Sequence, residues 1–309
     1  MNILILGAAS FIGKNLIGKL SKNNTLTIVD KKKNFFDDID LKDNVSIVES
    51  TFDENTDFDT LLTGQDIVYH LVSTVIPATS NQHIKQDIEN NVIFSSMLFD
   101  SCVKNNIKKV IFISSGGAVY GKEGISPLSE STLTKPITSY GIQKVTIENL
   151  LYLYNYMYGL DYKVVRLANP YGPYQRPNGG LGAVTAFTYK ALNNEEITVY
   201  GDGSVVRDYI YIDDAITGIL NIADDVSEEK IFNLGSGNGT SIKELLDAIS
   251  MVLNKKLNVT YKEGRTVDVP INYLDMSKYI NTFGKHHNVD LKEGISLTAN
   301  FLKNYHEKD

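Results

Sequence analysis

The chain predicts an α/β fold: a doubly wound parallel sheet with a smaller mixed C-terminal lobe. Three observations predict it. A short apolar run, Asn2 to Leu6, ends in a glycine turn that opens an amphipathic helix. Strand-length apolar runs then alternate with helical periodicity as far as Leu167. Beyond Tyr171 that alternation gives way to glycine loops, short strands and isolated helices. Regular alternation implies parallel strands, because a parallel pair needs a long crossover and a helix supplies it. The lobes are expected at 1–167 with about 205–235, and at 168–204 with 236–309. No repeat or low-complexity segment interrupts them.

Composition narrows the function. With 309 residues, 42% hydrophobic and 22% charged, the chain has the make-up of an enzyme-sized globular protein. A net charge of −7 and only four arginines argue against nucleic acid as the main partner. No apolar stretch approaches the ~18 residues of a membrane span. Cys102 is the single cysteine, so no internal disulfide forms, and it reads as a buried, inert thiol. A cytoplasmic protein is expected.

Taken in order, Asn2–Leu6 and the turn Gly7-Ala8-Ala9-Ser10-Phe11-Ile12-Gly13 place backbone N–H groups and a helix N-terminus where a dinucleotide pyrophosphate would lie. Gly7 permits the tight turn, and Gly13 lets helix pack close to strand. The next strand, Thr25 to Val29, ends in Asp30, 23 residues beyond Gly7. An acid there suits the adenosine ribose hydroxyls and repels a 2′-phosphate, which favours NAD over NADP. Lys31 stands beside it as a further cofactor contact, although with Lys32 and Lys33 it also reads as a solvated turn. Val45 to Val48 and Ile67 to Leu71 read as short buried strands. Asp53 is placed for adenine, with a plain loop acid as the alternative. Leu71, Val72, Ser73 and Thr74 begin a polar loop at a strand's carboxyl end, where ligands bind in such sheets. His70 reads as a hydrogen-bonded structural histidine. Ile84 to Asn105 has helical spacing, and Lys109 to Ile113 is a strand running into Ser114-Ser115-Gly116-Gly117-Ala118-Val119-Tyr120-Gly121.

Ser139-Tyr140-Gly141-Ile142-Gln143-Lys144 then opens a Tyr-rich helix through Tyr158. At i and i+4, Tyr140 and Lys144 share a face, so the ammonium can lie beside the phenol and pull its pKa below the usual ~10. Such pairs arise by chance roughly once or twice in a chain this rich in both residues, so context must carry the case. After a strand at Lys163–Leu167 comes Asn169-Pro170-Tyr171-Gly172-Pro173. Next are a loop with Gly179, Gly180 and Gly182, a helix over Ala183–Leu192, a strand over Ile197–Tyr200, Arg207-Asp208-Tyr209, and a helix from Ala215.

These motifs together resemble the NAD-dependent epimerase/dehydratase family, the extended branch of the short-chain dehydrogenase/reductases. Its members look like a Rossmann lobe plus a small lobe that holds a nucleotide-diphosphate sugar. The resemblance makes Tyr140 the acid/base and Lys144 the group that tunes it and holds the nicotinamide ribose. It sets Pro170 and Tyr171 beside the nicotinamide and Asn169 at the substrate diphosphate. Arg207 and Arg265 would grip that diphosphate, Val184 and Tyr200 would lie near the base, and Thr74 and Asp268 complete the substrate contacts. It also implies a homodimer through the helices near Phe94–Val103 and Val145–Tyr158. Arg166, at a buried strand end, reads as half of a structural ion pair. The chain departs from the family pattern twice: Ser10 replaces the middle glycine of the loop, and Gly116 replaces the catalytic Ser or Thr. Ser115 is the expected substitute hydroxyl, with Ser114 the other option.

The family's shared first step is oxidation of a sugar hydroxyl. Dehydratases resembling the family add an Asp-Glu pair after the catalytic hydroxyl, and decarboxylases a Glu; here Gly117 and Ala118 stand there. The expected activity is therefore a nucleotide-sugar 4-epimerase of the UDP-glucose/UDP-galactose type, possible also on N-acetyl forms. The alternatives are a keto-sugar reductase and a non-catalytic NAD sensor.

Overall fold

The protein is described from a computed structural model, in residues 1–53, 56–77, 79–178, 182–264, 269–284 and 288–304. In chain order its elements are β1 (Asn2–Leu6), α1 (Phe11–Leu20), β2 (Thr25–Asp30), β3 (Val45–Glu49), α2 (Phe58–Leu62), β4 (Ile67–His70), α3 (Ile84–Ile88), α4 (Phe94–Lys104), β5 (Lys109–Ser115), α5 (Ser139–Tyr158) and β6 (Tyr162–Leu167). There follow β7 (Asn169–Tyr171), α6 (Ala183–Leu192), β8 (Ile197–Tyr200), β9 (Val206–Tyr211), α7 (Ile212–Asp224), β10 (Ile231–Leu234), β11 (Gly239–Ser241), α8 (Ile242–Leu253), β12 (Val259–Lys262), β13 (Ile271–Asn272), α9 (Ser277–Phe283) and α10 (Leu291–Lys303).

The chain forms two compact units, Met1–Val119 with Pro136–Arg166 and Ile222–Phe232, and Tyr120–Lys135 with Leu167–Asn221 and Asn233–Asp309. The first is built on a seven-stranded sheet of order β10-β6-β5-β4-β1-β2-β3. β1 pairs in parallel with β2 on one side and β4 on the other, Ile3 lying opposite Leu26 and Ile67. All four residues of β4 are buried, as befits a strand covered by helices on both faces. Strand order reverses between β1 and β4, the switch point at whose carboxyl ends ligands bind in such sheets, and Gly7 and Leu71 emerge there. Leu4, Val68, Phe99, Phe112 and Leu151 share one core, which clamps α4 and α5 to this sheet.

In the second unit β9 is the organising strand: it pairs with β11, β13 and β7. A capping box starts α8, where the Ser241 hydroxyl accepts from Glu244 N and the Glu244 carboxylate accepts from Ser241 N.

The doubly wound architecture stands as expected, and several boundaries change. The stretch 205–235 does not belong wholly with the first unit: β9 and most of α7 belong with the second, because β9 pairs there and not in the large sheet. α7 begins at Ile212, three residues earlier than expected, with Asp213 and Asp214 in its first turn, where acids favour a helix N-terminus. The helical stretch from Ile84 is broken by a π turn over Glu89–Ile93. Among the described residues no helix is long and apolar enough to cross a membrane.

Candidate active site

The first unit's chemistry gathers where α5 meets the end of β5. Thr138 caps α5 by accepting from Gly141 N at 3.2 Å, and Asn81 Oδ1 accepts from Ser139 N at 2.8 Å. A Cβ on Gly141 would lie 2.6 Å from the Ala118 carbonyl oxygen, so only glycine lets the helix come this close to the loop after β5. Tyr140 and Lys144 are thereby brought against the strand end. Lys144 is 5% exposed, and its Nζ donates to Ile113 O at 2.9 Å. The ammonium stands 4.7 Å from the Phe112 ring centre and 5.6 Å from that of Tyr140. Burial draws the Lys144 pKa down to about 8, against the pull of the Glu148 carboxylate. Tyr140 keeps part of its ring accessible, yet burial pushes its phenol up to about 12, opposed by a hydrogen bond with Ser115. This corrects the expectation that Lys144 depresses the phenol: desolvation outweighs the Ser115 hydrogen bond, and the ammonium is directed at a carbonyl.

The two serines at the end of β5 separate cleanly. The Ser114 hydroxyl donates to Glu148 Oε1, and Glu148 also receives Arg166 Nη2 at 2.7 Å. Arg166 is therefore the structural ion pair expected of it, and Ser114 is engaged with that pair. Ser115 is the serine bonded to Tyr140. His70 and Cys102 are likewise structural. His70 is 1% exposed, and its Nε2 lies 2.8 Å from Ser95 Oγ. Cys102 is fully buried, and burial drives its thiol pKa far up.

The loop after β1 fits a dinucleotide. Gly7 adopts φ +77, and a Cβ there would lie 3.1 Å from Val72 N, so the Leu71–Val72 backbone passes close by. A Cβ on Gly13 would sit 2.3 Å from Ala8 O, so helix and turn are in backbone contact. Ser10 caps α1 by accepting from Gly13 N at 3.2 Å. The N–H groups of Phe11 and Ile12 open the helix with no protein acceptor among the described residues, the arrangement a pyrophosphate uses. Asp30 Oδ2 accepts from Ala9 N at 2.9 Å and Oδ1 from Lys31 N at 2.8 Å, which ties the acid to this turn. Lys31 itself is exposed. Asp53 is exposed and accepts from the Thr51 hydroxyl at 3.0 Å. Leu71 N donates to Leu6 O at 3.0 Å, and Ser73 Oγ donates to Val75 O at 3.1 Å. Thr74 is held at two points by Asn91, a residue the sequence reading missed. Asn91 Oδ1 accepts from Thr74 N at 3.0 Å, and its Nδ2 donates to Thr74 Oγ1 at 2.9 Å. Asn91 is buried within the π turn, and the signal for it was an amide on the apolar face of the run, three residues after Ile88 and one before Val92.

The second unit carries the other candidates. Asn169 lies opposite Tyr209 in the β7–β9 pairing, and its Nδ2 donates to Asp208 O at 2.9 Å. Pro170 follows it. The Tyr171 side chain is 1% exposed, and its hydroxyl lies against Gly294, where an added Cβ would approach to 2.1 Å. The ring is thus core, which corrects the expectation that it flanks a nicotinamide; only its backbone remains for a ligand. Val184 is buried at the start of α6, and Tyr200 is 39% exposed at the end of β8. Arg207 Nη1 donates to Val206 O at 2.8 Å and Val269 O at 2.6 Å, which fixes the guanidinium on β9. Arg265 and Asp268, like Gly179 and Gly180, lie outside the described residues.

Residues 3–235 match the NAD dependent epimerase/dehydratase family. Over 308 residues, 98% of each chain, the protein is 32% identical to a putative UDP-glucose 4-epimerase of Methanocaldococcus jannaschii. It is also 32% identical, over 95% of each chain, to a dTDP-4-dehydro-6-deoxyglucose reductase of Escherichia coli. A UDP-glucose 4-epimerase of Thermotoga maritima, solved with UDP-glucose, superposes with a TM-score of 0.91 at 33% identity, covering 98% of this chain and 99% of that one. Fold and loop define a dinucleotide-binding enzyme of the α/β class. The chain belongs to the NAD-dependent epimerase/dehydratase family, and NAD is its cofactor.

Proposed function

We propose that this protein is a nucleotide-sugar 4-epimerase acting on a UDP-hexose, of the glucose/galactose type or its N-acetyl forms, through a transient 4-keto sugar. The observation that carries the reading is the strand end itself. Ser115 bonds Tyr140, Lys144 stands one turn on, and the two positions after Gly116 hold no acid. A Cβ at Gly117 would meet nothing nearer than Ser115 Oγ at 3.9 Å. With Tyr140 as the proton-transfer group and no acid at Gly117 or Ala118, this strand end suits chemistry that removes and returns one proton, as epimerisation does and dehydration does not.

Gly7, Phe11, Ile12, Gly13 and Asp30 would hold NAD, which supplies a reversible hydride acceptor and a positive ring when bound. Tyr140 moves the proton of the sugar hydroxyl at its phenol oxygen. Ser115 donates to that oxygen or to the sugar oxygen and steadies whichever is negative. Lys144, cationic below about pH 8, lends positive charge to the same face. Asn169 and Arg207 would take the diphosphate, the guanidinium fork suiting phosphate oxygens. Tyr152, Tyr156 and Met157 of α5 are 62%, 79% and 55% exposed, an apolar and aromatic surface that supports a homodimer.

The alternative, an NAD(P)H-dependent keto-sugar reductase, is favoured by the similarity to the Escherichia coli reductase. Incubating the purified protein with UDP-galactose and no added NADH, with NMR readout, separates the two. Appearance of UDP-glucose supports the epimerase. Turnover only of a 4-keto sugar with stoichiometric NAD(P)H makes it a reductase, and binding of NAD without either turnover makes it a sensor.

A further inference from the structure

Three successive residues at the end of β5 each engage one turn of α5. Ile113 O accepts from Lys144 Nζ at 2.9 Å, the Ser114 hydroxyl donates to Glu148 Oε1, and Ser115 bonds Tyr140. Tyr140, Lys144 and Glu148 stand at i, i+4 and i+8, so they form one row on the helix. Glu148 is 5% exposed and receives Arg166 Nε at 3.2 Å and Nη2 at 2.7 Å besides the serine.

A buried ion pair of this kind adds little stability over apolar residues of the same shape, since desolvation offsets its attraction. The pair does supply a fixed negative charge one turn from the Lys144 ammonium and a fixed acceptor for the residue next to Ser115. We infer that Glu148 is a positioning residue of the Tyr140–Lys144 pair: its carboxylate, aimed by Arg166, keeps the Lys144 amine protonated and, through Ser114, holds the Ser115 hydroxyl on Tyr140. This rests on the reading that Tyr140 and Lys144 carry the proton transfer.

Among the described residues, charged and titratable groups packed near Lys144 come from α5, β4 and β6. On its own helix they are Tyr140 and Glu148. β5 presents the Ile113 carbonyl and the Phe112 ring to the ammonium. β4 contributes His70, which burial keeps neutral with a pKa lowered to about 3, and β6 contributes Arg166, which is bound to Glu148. Of these, Glu148 is the one that opposes the effect of burial on the amine. Removing its charge also leaves the Arg166 cation uncompensated, so both consequences push Lys144 toward its neutral form.

The test uses the full chain with NAD bound. NMR of the Lys144 side chain, assigned by loss of its signal in Lys144→Met, follows the amine through its titration. In Glu148→Gln, which keeps the shape, the midpoint is expected to fall by about half a unit or more, and the pH profile of kcat to move with it. Ser114→Ala leaves the ion pair in place; it should lower kcat about tenfold at unchanged KM, with the Lys144 titration unmoved, and Ser114→Thr should restore the rate. A folded Glu148→Gln protein that titrates like wild type overturns the inference. So does Ser114→Ala at the wild-type rate, including the case where Glu148→Gln fails to fold. Should wild type turn over no nucleotide sugar, the proposed function falls, while the Lys144 titration still decides the role of Glu148.

Discussion

Lys144 Nζ donates to the main-chain oxygen of Ile113 at 2.9 Å and stands 5.6 Å from the centre of the Tyr140 ring. The ammonium thus locks helix to strand and also presents positive charge toward the phenol. Lys144→Met keeps the apolar stem beside Phe112 while removing both functions. It is expected to lower kcat by about two orders of magnitude or more with the fold intact, checked by initial rates and circular dichroism. A folded variant within a few-fold of wild type would remove Lys144 from the chemistry.

Gly141 sets the distance between α5 and the loop after β5. An added Cβ would lie 2.6 Å from Ala118 O and 2.7 Å from Pro136 Cβ. Gly141→Ala should cost about 1–3 kcal/mol through overpacking and reduce activity as Tyr140 is pushed from Ser115. Gly18, inside α1, is the control, since a Cβ there would meet nothing within 4 Å. Gly18→Ala should stabilise by about 0.5–1 kcal/mol. Urea midpoints of the two variants should therefore move in opposite directions; parallel shifts would contradict the steric account.

Much of this was legible because local chemistry and fold agree. Asn2–Leu6 followed by Gly7 and Gly13 can hardly be anything but strand, turn and helix, and the i, i+4 spacing placed Tyr140 and Lys144 on one face. Two kinds of fact were not. The sign of the Tyr140 shift depends on how much water the fold removes, which spacing does not encode. The grip of Asn91 on Thr74 spans 17 residues and relies on a π turn, a local departure from helical periodicity that a period-based reading smooths over. Tyr171 misled for a third reason: its ring is packed against Gly294, far along the chain, a contact that a local motif does not encode.

His70 is expected to make the protein acid-sensitive. Ser95 Oγ donates to Asn91 O at 2.6 Å, so His70 Nε2 is the donor to Ser95, and Nδ1 is left with a buried, unpartnered lone pair. Burial, with the nearby Lys144 charge, lowers its pKa from 6.5 to about 3 in the folded state. Between those values the unfolded chain binds the extra proton, so the stabilising contribution is whole above about pH 6.5 and declines as pH falls toward 3. The loss from pH 7 to pH 5 is about 2 kcal/mol on this account. Denaturant titrations should show it in wild type and a flatter pH dependence in His70→Phe, whose ring replaces the imidazole among Phe94, Phe99 and Phe112. Equal slopes for the two proteins would mean that other groups set the acid limb.

Asp30 does more at the loop after β1 than the ribose contact proposed for it would require. Its two carboxylate oxygens accept from Ala9 N and Lys31 N, so the acid braces the turn that leads to Phe11 and Ile12, whose N–H groups would meet a pyrophosphate. In Asp30→Asn one oxygen is replaced by an amide NH₂, which would face a backbone donor, and the negative charge is lost. NAD should bind about tenfold more weakly by calorimetry, the cost of one or two charge-assisted hydrogen bonds, while NADP gains relative to NAD because the repulsion of a 2′-phosphate is gone. Lys31→Ala separates the two contributions: Lys31 takes part in the turn through its backbone, which the substitution retains, so NAD affinity should hold. If Asp30→Asn binds both dinucleotides as wild type does, the acid only braces the turn, and cofactor choice must be sought elsewhere in the loop.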